Sequence, residues 1–252
     1  MTKKCLFNKC DGSGTIVTVK DGVVYASICE CVEEEQKKLK QEKMLKFADI
    51  PPEFIGIKVN NFKNEIYTSI EALDLAAAAK RMTVNYVMNF EKFKEEGKGL
   101  YYYSKEKGSG KTMLAIALGN ALINMHSVMV KFLTTPDLLS EIKKTYDRGS
   151  EYKESELLES LKQVEVLILD DIGIEKQSGW MNEILYKILN HRMTSKLITI
   201  FTSNVHITQL EHDERIKSRI EKMALPVQMP EESIRKQLAQ RENDEMVKLL
   251  LR

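Results

Sequence analysis

The sequence predicts an α/β protein: a doubly wound parallel sheet carrying a phosphate-binding loop, preceded by a small zinc-binding β-hairpin module and a linker helix. Three observations predict it. Short apolar runs alternate with helical patterns from residue 100 onward. A glycine-rich stretch, K-E-K-G-S-G-K-T at Lys105 to Thr112, joins the first of those runs to a helix. All four cysteines fall within the first 31 residues.

The glycine-rich stretch follows the apolar strand Leu100 to Tyr103 and runs into a helix over Met113 to Met125. Such a turn leaves several backbone N–H groups pointing into one hollow, at the positive end of the helix dipole, and so suits a phosphate chain. The candidate cradle is Lys107, Gly108, Ser109, Gly110, Lys111, Thr112 and Met113. Lys111 is placed to reach the β- and γ-phosphates of ATP, and the Thr112 hydroxyl to hold Mg²⁺. The pattern departs from G-x-x-x-x-G-K-[ST] only at its first position, which is Lys105.

Composition sets the outer bounds. The 252 residues allow one large domain, or a domain with an appendage. Acidic and basic residues nearly cancel to a net charge of +1, so any nucleic-acid contact must come from a local patch. No stretch approaches the roughly 20 apolar residues that span a bilayer, and Met1 to Cys10 lack the apolar core of a signal peptide. The expected location is the cytoplasm, without membrane contact, where clustered cysteines hold metal more often than disulfides.

Cys5, Cys10, Cys29 and Cys31 flank two β-branched runs, Thr15 to Val19 and Val23 to Ile28, joined by Lys20-Asp21-Gly22. Asp-Gly between alternating runs signals a hairpin, which brings both cysteine pairs to one end as four zinc-binding thiolates. The C-x-x-x-x-C and C-x-C spacings lie at the loose and tight ends for such a site. Val32 to Phe47 reads as a charged linker helix that ends before Ile50-Pro51-Pro52, which sets a cysteine module at 1–48 and a second domain at 49–252.

Within the second domain, Thr68 to Phe93 forms one helical pattern with a broad apolar face, and Val128 to Leu133 a strand. Leu138 to Arg148 and Ser155 to Lys162 are two helices before the next strand. That strand, Val164 to Leu169, is almost wholly apolar, as a central parallel strand covered on both faces must be. Helix Gly179 to Thr194, strand Leu197 to Thr202, helix Glu211 to Met223, strand Leu225 to Met229 and helix Glu231 to Leu251 complete the alternation. The single Trp180 is expected in the core, and the four histidines lack metal-ligand spacing.

A phosphate loop of this kind needs an acidic site on the neighbouring strand. Asp170 and Asp171 follow V-E-V-L-I-L, where ligands bind in open α/β sheets. Asp170 is assigned to Mg²⁺ and Asp171 to the attacking water. Asn204, after the next strand, is in place to contact the γ-phosphate or orient that water.

Together, Lys105 to Thr112, L-I-L-D-D at Leu167 to Asp171, T-S-N at Thr202 to Asn204 and R-I-K-S-R-I at Arg215 to Ile220 resemble an AAA+ ATPase. Within that group the chain is similar to the bacterial replicative helicase loaders of the DnaC/DnaI type and their phage relatives. The likeness includes the cysteine module and I-P-P-E-F at Ile50 to Phe54. The resemblance implies that Asn204 is the sensor 1 residue. It also implies that Arg219 is an arginine finger offered to the next subunit of a homo-oligomer, and Arg235 a sensor 2 residue acting in cis. It further implies an ATP hydrolase partnered by a hexameric replicative helicase and single-stranded DNA, with hydrolysis driving release.

Lys143, Lys144, Tyr146 and Arg148 are the candidate DNA contacts, since basic residues with an aromatic track a single strand. A transposition helper ATPase of the IstB type shares the ATPase core but generally lacks a cysteine module. A nucleotide-binding adaptor with little turnover is a further reading, because Asp171 reaches less far than a glutamate. A small-molecule kinase would need an arginine-bearing lid and an acceptor pocket, and the sequence offers neither.

Overall fold

The computed structural model describes residues 4–144, 154–174 and 178–251. The chain divides into two compact units, Met1–Lys46 and Phe47–Arg252.

In the first unit, β1 (Thr15–Lys20) and β2 (Val23–Ile28) pair antiparallel, with Val19 opposite Val24 and Thr15 opposite Ile28. The connecting Asp21 and Gly22 both take positive φ, 51° and 77°, as a two-residue turn matched to strand twist requires. Helix α1 (Glu30–Ala48) begins two residues earlier than its charge pattern suggests and runs through the division between the units.

The second unit holds one five-stranded parallel sheet. Its strands are β3 (Gly99–Tyr103), β4 (Val130–Thr134), β5 (Val166–Asp170), β6 (Ile198–Ser203) and β7 (Ala224–Gln228), in the order β4-β5-β6-β3-β7. β7 is an edge strand, which accommodates Pro226. Strand β6 lies between β3 and β5, so the strand ending in Asp170 is not the neighbour of the strand that feeds the phosphate loop. The expectation that the two are adjacent is corrected on this point.

Alternation along each strand sends side chains to both faces. Leu167, Leu169, Tyr101 and Phe201 pack with α5 (Thr135–Lys144), α6 (Glu154–Gln163), α7 (Gly179–Thr194) and α8 (Glu214–Met223) in one core cluster. Ile168 and Val130 turn the other way, toward Gly119 of α4 (Lys111–His126). The long helical pattern before β3 is two helices, α2 (Ile70–Met88) and α3 (Phe90–Glu96), separated at Asn89. The second stops at Gly97, whose φ of 64° is the left-handed cap. Trp180 is half-buried at the rim of the core, with Lys143 Nζ 5.6 Å from its ring centroid. Helix α9 (Ile234–Leu250) closes the chain.

One buried cation braces this sheet. Arg192, fully buried, donates to Thr199 Oγ1 at 2.9 Å, to the Leu161 and Val164 carbonyls at 2.8 Å each, and to the carbonyls of Glu165 and Ile198. Burial lowers its pKa to about 9. Carbonyl dipoles from two chain segments, 161–165 and Ile198, therefore do the work of an anion.

Candidate functional site: a phosphate-loop cavity and a four-cysteine cluster

Strand β3 delivers the chain into the loop 104–110, and α4 starts at Lys111. Gly108 and Gly110 have φ of 79° and 88°, which side chains avoid. They are also tightly covered: a Cβ on Gly108 would come within 2.8 Å of Ser233 Oγ, and one on Gly110 within 2.7 Å of the Phe62 ring. Tyr67 donates its hydroxyl to the Ser109 carbonyl at 2.9 Å, and Ile234 N donates to the Gly108 carbonyl at 2.9 Å. Lys105 is not among the residues with positive φ, so a side chain at the first loop position carries no backbone strain. Its N–H and that of Glu106 donate to the Glu231 carboxylate at 3.2 and 3.1 Å.

Lys111 is buried and folds back into the loop. Its Nζ donates to the Glu106 carbonyl at 2.9 Å, the Ser104 carbonyl at 3.1 Å and Ser109 Oγ at 3.3 Å. Burial lowers its pKa, against the pull of the Asp171 and Glu231 carboxylates. Thr112 Oγ1 donates to Asp170 at 2.9 Å, and Thr202 Oγ1 donates to the same carboxylate at 2.6 Å. Asp170 is 4% exposed, and burial pushes its pKa up to about 6, with the Asp171 charge adding to the rise and the two hydroxyls opposing it. Asp171 sits in a tight turn with φ of 57°, its N–H given to Thr202 Oγ1 at 2.9 Å.

A cavity of about 580 Å³ gathers the expected residues: Lys107 through Met113, Asp171, Asn204 and Arg235 all line it. Its apolar part comes from Phe54, Ile174, Ile234 and Leu238. Asp170 lies in the wall of an adjoining cavity of about 480 Å³, shared with Thr112, Asp171 and Arg235 and rimmed by Asp49, Glu53, Asp137 and Glu141. A buried ammonium, a row of loop amides and a carboxylate–hydroxyl pair are the groups that bind a triphosphate with a hard divalent cation.

Arg219 is not part of either cavity lining. It lies on α8 against α7, its guanidinium 4.2 Å from the Tyr186 ring centroid. Of the candidate DNA contacts, Lys143 and Lys144 end α5, while Tyr146 and Arg148 lie outside the described residues.

Sequence reasoning missed Phe62, Tyr67, Glu231, Ile234 and Leu238, which cover the loop or line the cavity from segments far away in the chain. No local pattern marks them. Thr202 stood inside the quoted T-S-N stretch, yet only its contact with Asp170 identifies its part.

In the first unit, the four cysteine sulfurs lie within 4.8 Å of one another, with Cys5 and Cys29 3.8 Å apart and Cys10 and Cys31 3.6 Å apart. Tetrahedral zinc at its usual bond length sets sulfurs about 3.8 Å apart, so the cluster fits the ion. The wide Cys5 to Cys10 spacing is taken up by a turn in which Asn8 has φ of 52°. Burial alone would raise the Cys5 thiol, but backbone N–H groups of Cys10, Lys9 and Phe7 outweigh it and hold the group at about 6. Cys31, in the first turn of α1, is pushed the other way, up to about 12, by its neighbour Cys29 and by burial, so without an ion the crowded sulfurs do not all ionise together.

Comparison with known proteins agrees with this architecture. The sequence model of the family described as IstB-like ATP binding protein matches residues 100–241. A replicative helicase loader DnaC of Buchnera aphidicola (from Schizaphis graminum) is 30% identical over 176 residues, covering 70% of this chain and 67% of that protein. The replicative helicase loader DnaI of Bacillus subtilis is 31% identical over 195 residues, covering 75% of this chain but only 56% of the relative. A crystal structure of DnaI superposes with a TM-score of 0.59 at 28% identity, over 71% of this chain and 94% of that one. Among the described residues no helix is long and apolar enough to cross a membrane. With its phosphate loop, its parallel AAA+-type sheet and these relatives, the chain belongs to the IstB-like ATP-binding protein family, in the branch that holds the DnaC and DnaI helicase loaders.

Proposed function

We propose that this chain is an ATP-dependent loader that places a ring-shaped replicative helicase on single-stranded DNA. The observation that carries the reading is the single cavity formed by Lys107 to Met113, Asp171, Asn204 and Arg235, in a chain whose relatives are named replicative helicase loaders. Lys111 leaves the Ser104 and Glu106 carbonyls to meet the β- and γ-phosphates. Thr112 and Asp170 would hold Mg²⁺, which would offset the charge of the phosphates. Asp171 takes a proton from the attacking water, Asn204 orients that water, and Arg235 at the start of α9 contacts the γ-phosphate in cis.

A neighbouring copy supplies Arg219. The acidic rim of Asp49, Glu53, Asp137 and Glu141 supports this part of the reading, because it favours a cation arriving from outside. The cysteine module, with zinc held by Cys5, Cys10, Cys29 and Cys31, docks on the helicase. DNA passes near Lys143 and Lys144, and hydrolysis releases the loader. A transposition helper role has no comparable support, since the relatives above carry the loader name.

Capture of the source's replicative helicase by tagged chain, with ATP, with ADP and with Lys111→Ala chain in ATP, tests the proposal. The expected result is retention of helicase that differs between ATP and ADP and is altered in the variant. Absence of helicase in every arm would overturn it.

A further inference from the structure

We infer that Asn190 and Tyr186 are positioning residues for Arg219, holding its guanidinium aimed but exchangeable for the nucleotide of a second copy of this chain. The inference rests on the reading above that Arg219 acts in trans. Arg219 Nε and Nη2 both donate to Asn190 Oδ1, at 3.0 and 2.8 Å. Nη2 also donates to the Tyr186 hydroxyl at 2.9 Å, and Nη1 to the Arg215 carbonyl at 2.7 Å. Four of the five N–H donors of a guanidinium are thereby used, and the Tyr186 ring stacks beneath it at 4.2 Å.

The acceptors are all neutral, and that is the informative feature. Arg215 stacks on the same ring at 5.1 Å, but its guanidinium is paired with the Asp213 carboxylate at 3.0 and 3.1 Å. Among the described residues no carboxylate stands within ion-pair distance of Arg219. Of two arginines on one tyrosine, one is bonded directly to the Asp213 carboxylate, while the other feels that charge only at longer range and bonds to neutral oxygens. Asn190 offers one neutral oxygen shared by two N–H groups, so it fixes direction while letting go to a phosphate, whose charge-assisted bonds are about twice as strong. A residue serving only to pin α8 to α7 would gain from an aspartate at this position. A finger held for release is harmed by one.

The test reads the finger in trans, at a nucleotide site in another chain. Arg219→Ala chains act as acceptors, with an intact phosphate loop and no finger. Lys111→Ala chains act as donors, with an intact finger and no nucleotide of their own. ATP turnover is measured at increasing donor, with association followed by sedimentation. Lys111→Ala donors should restore turnover, and donors carrying Asn190→Asp in addition should restore about tenfold less or worse, because the new ion pair retains Arg219. Donors with Tyr186→Phe keep the stacked ring and should stay within about threefold of the parent donor. Full rescue by Asn190→Asp donors that associate normally overturns the positioning role. No rescue by the parent donor, with association intact, overturns the trans reading itself and the inference with it.

Discussion

Thr202 gives its hydroxyl proton to Asp170 Oδ1 at 2.6 Å and accepts the backbone N–H of Asp171 at 2.9 Å on the same oxygen. Because β6 lies between β3 and β5, this one threonine joins the acidic pair to the strand that ends at Ser203, directly before Asn204. Thr202 thus links Asp170 to the T-S-N end of β6. The same contact keeps a buried carboxylate hydrogen-bonded where ionisation is costly.

Asp170 should make the protein more stable as pH falls. Its folded pKa of about 6 lies above the ordinary 3.8, so the folded state holds the proton more tightly than the unfolded chain. That contribution is fully present below 3.8, shrinks as pH rises through the window from 3.8 to about 6, and is gone above it. Two pK units correspond to about 3 kcal/mol at most. Asp170→Asn should flatten this slope and raise stability at pH 7.5 by about 1–2 kcal/mol in the absence of nucleotide, while removing stabilisation by Mg-ATP. Denaturant melts across pH 4 to 8 check both. A variant that melts earlier at neutral pH would show that the carboxylate is not under strain.

Lys111→Ala and Asp171→Asn should separate binding from turnover. Lys111 is the buried cation of the loop, so its removal should abolish measurable ATP affinity in a fluorescent-nucleotide titration. Asp171→Asn keeps size and cavity position, so affinity should hold while turnover falls by about 10²-fold or more. Unchanged affinity in the first variant, or unchanged turnover in the second, rules out the assigned role.

The four-cysteine cluster should carry about one zinc per chain, measured by elemental analysis of protein purified without added metal. The ion would supply the folding energy that a two-stranded hairpin with exposed valines lacks. Cys29→Ser should lose the metal and expose residues 4–46 to protease, with ATP affinity unchanged. Protein free of zinc with four freely titrating thiols would remove the ion from the account.

Arg192→Met should be among the more damaging substitutions outside the cavity. The methionine fits the stem but leaves the carbonyls of Leu161, Val164, Glu165 and Ile198 without their shared donor in a dry interior. The expected loss is on the order of 3 kcal/mol, read as a lower denaturation midpoint with an unchanged slope. A midpoint equal to that of the parent chain would mean that water replaces the guanidinium.

By itself, the sequence determined the features that neighbouring residues encode among themselves. The Gly108–Gly110 turn, the apolar β5 run ending in Asp170-Asp171 and the Asp21-Gly22 hairpin are all written in a few adjacent positions, because backbone torsions and strand alternation act locally. The cysteines were legible for the same reason, once the hairpin placed their pairs at one end. Tertiary structure alone decided which strand separates β3 from β5, and what closes over the loop. Tyr67 reaches Ser109 across 42 residues, and Glu231 reaches Lys105 across 126. It also decided that Arg192 is buried among carbonyls and that Arg219 rests on Tyr186 beside Asn190. Such pairings leave no periodic trace, since a side chain's partner across the sheet is fixed by chain crossing and packing rather than by its neighbours in sequence.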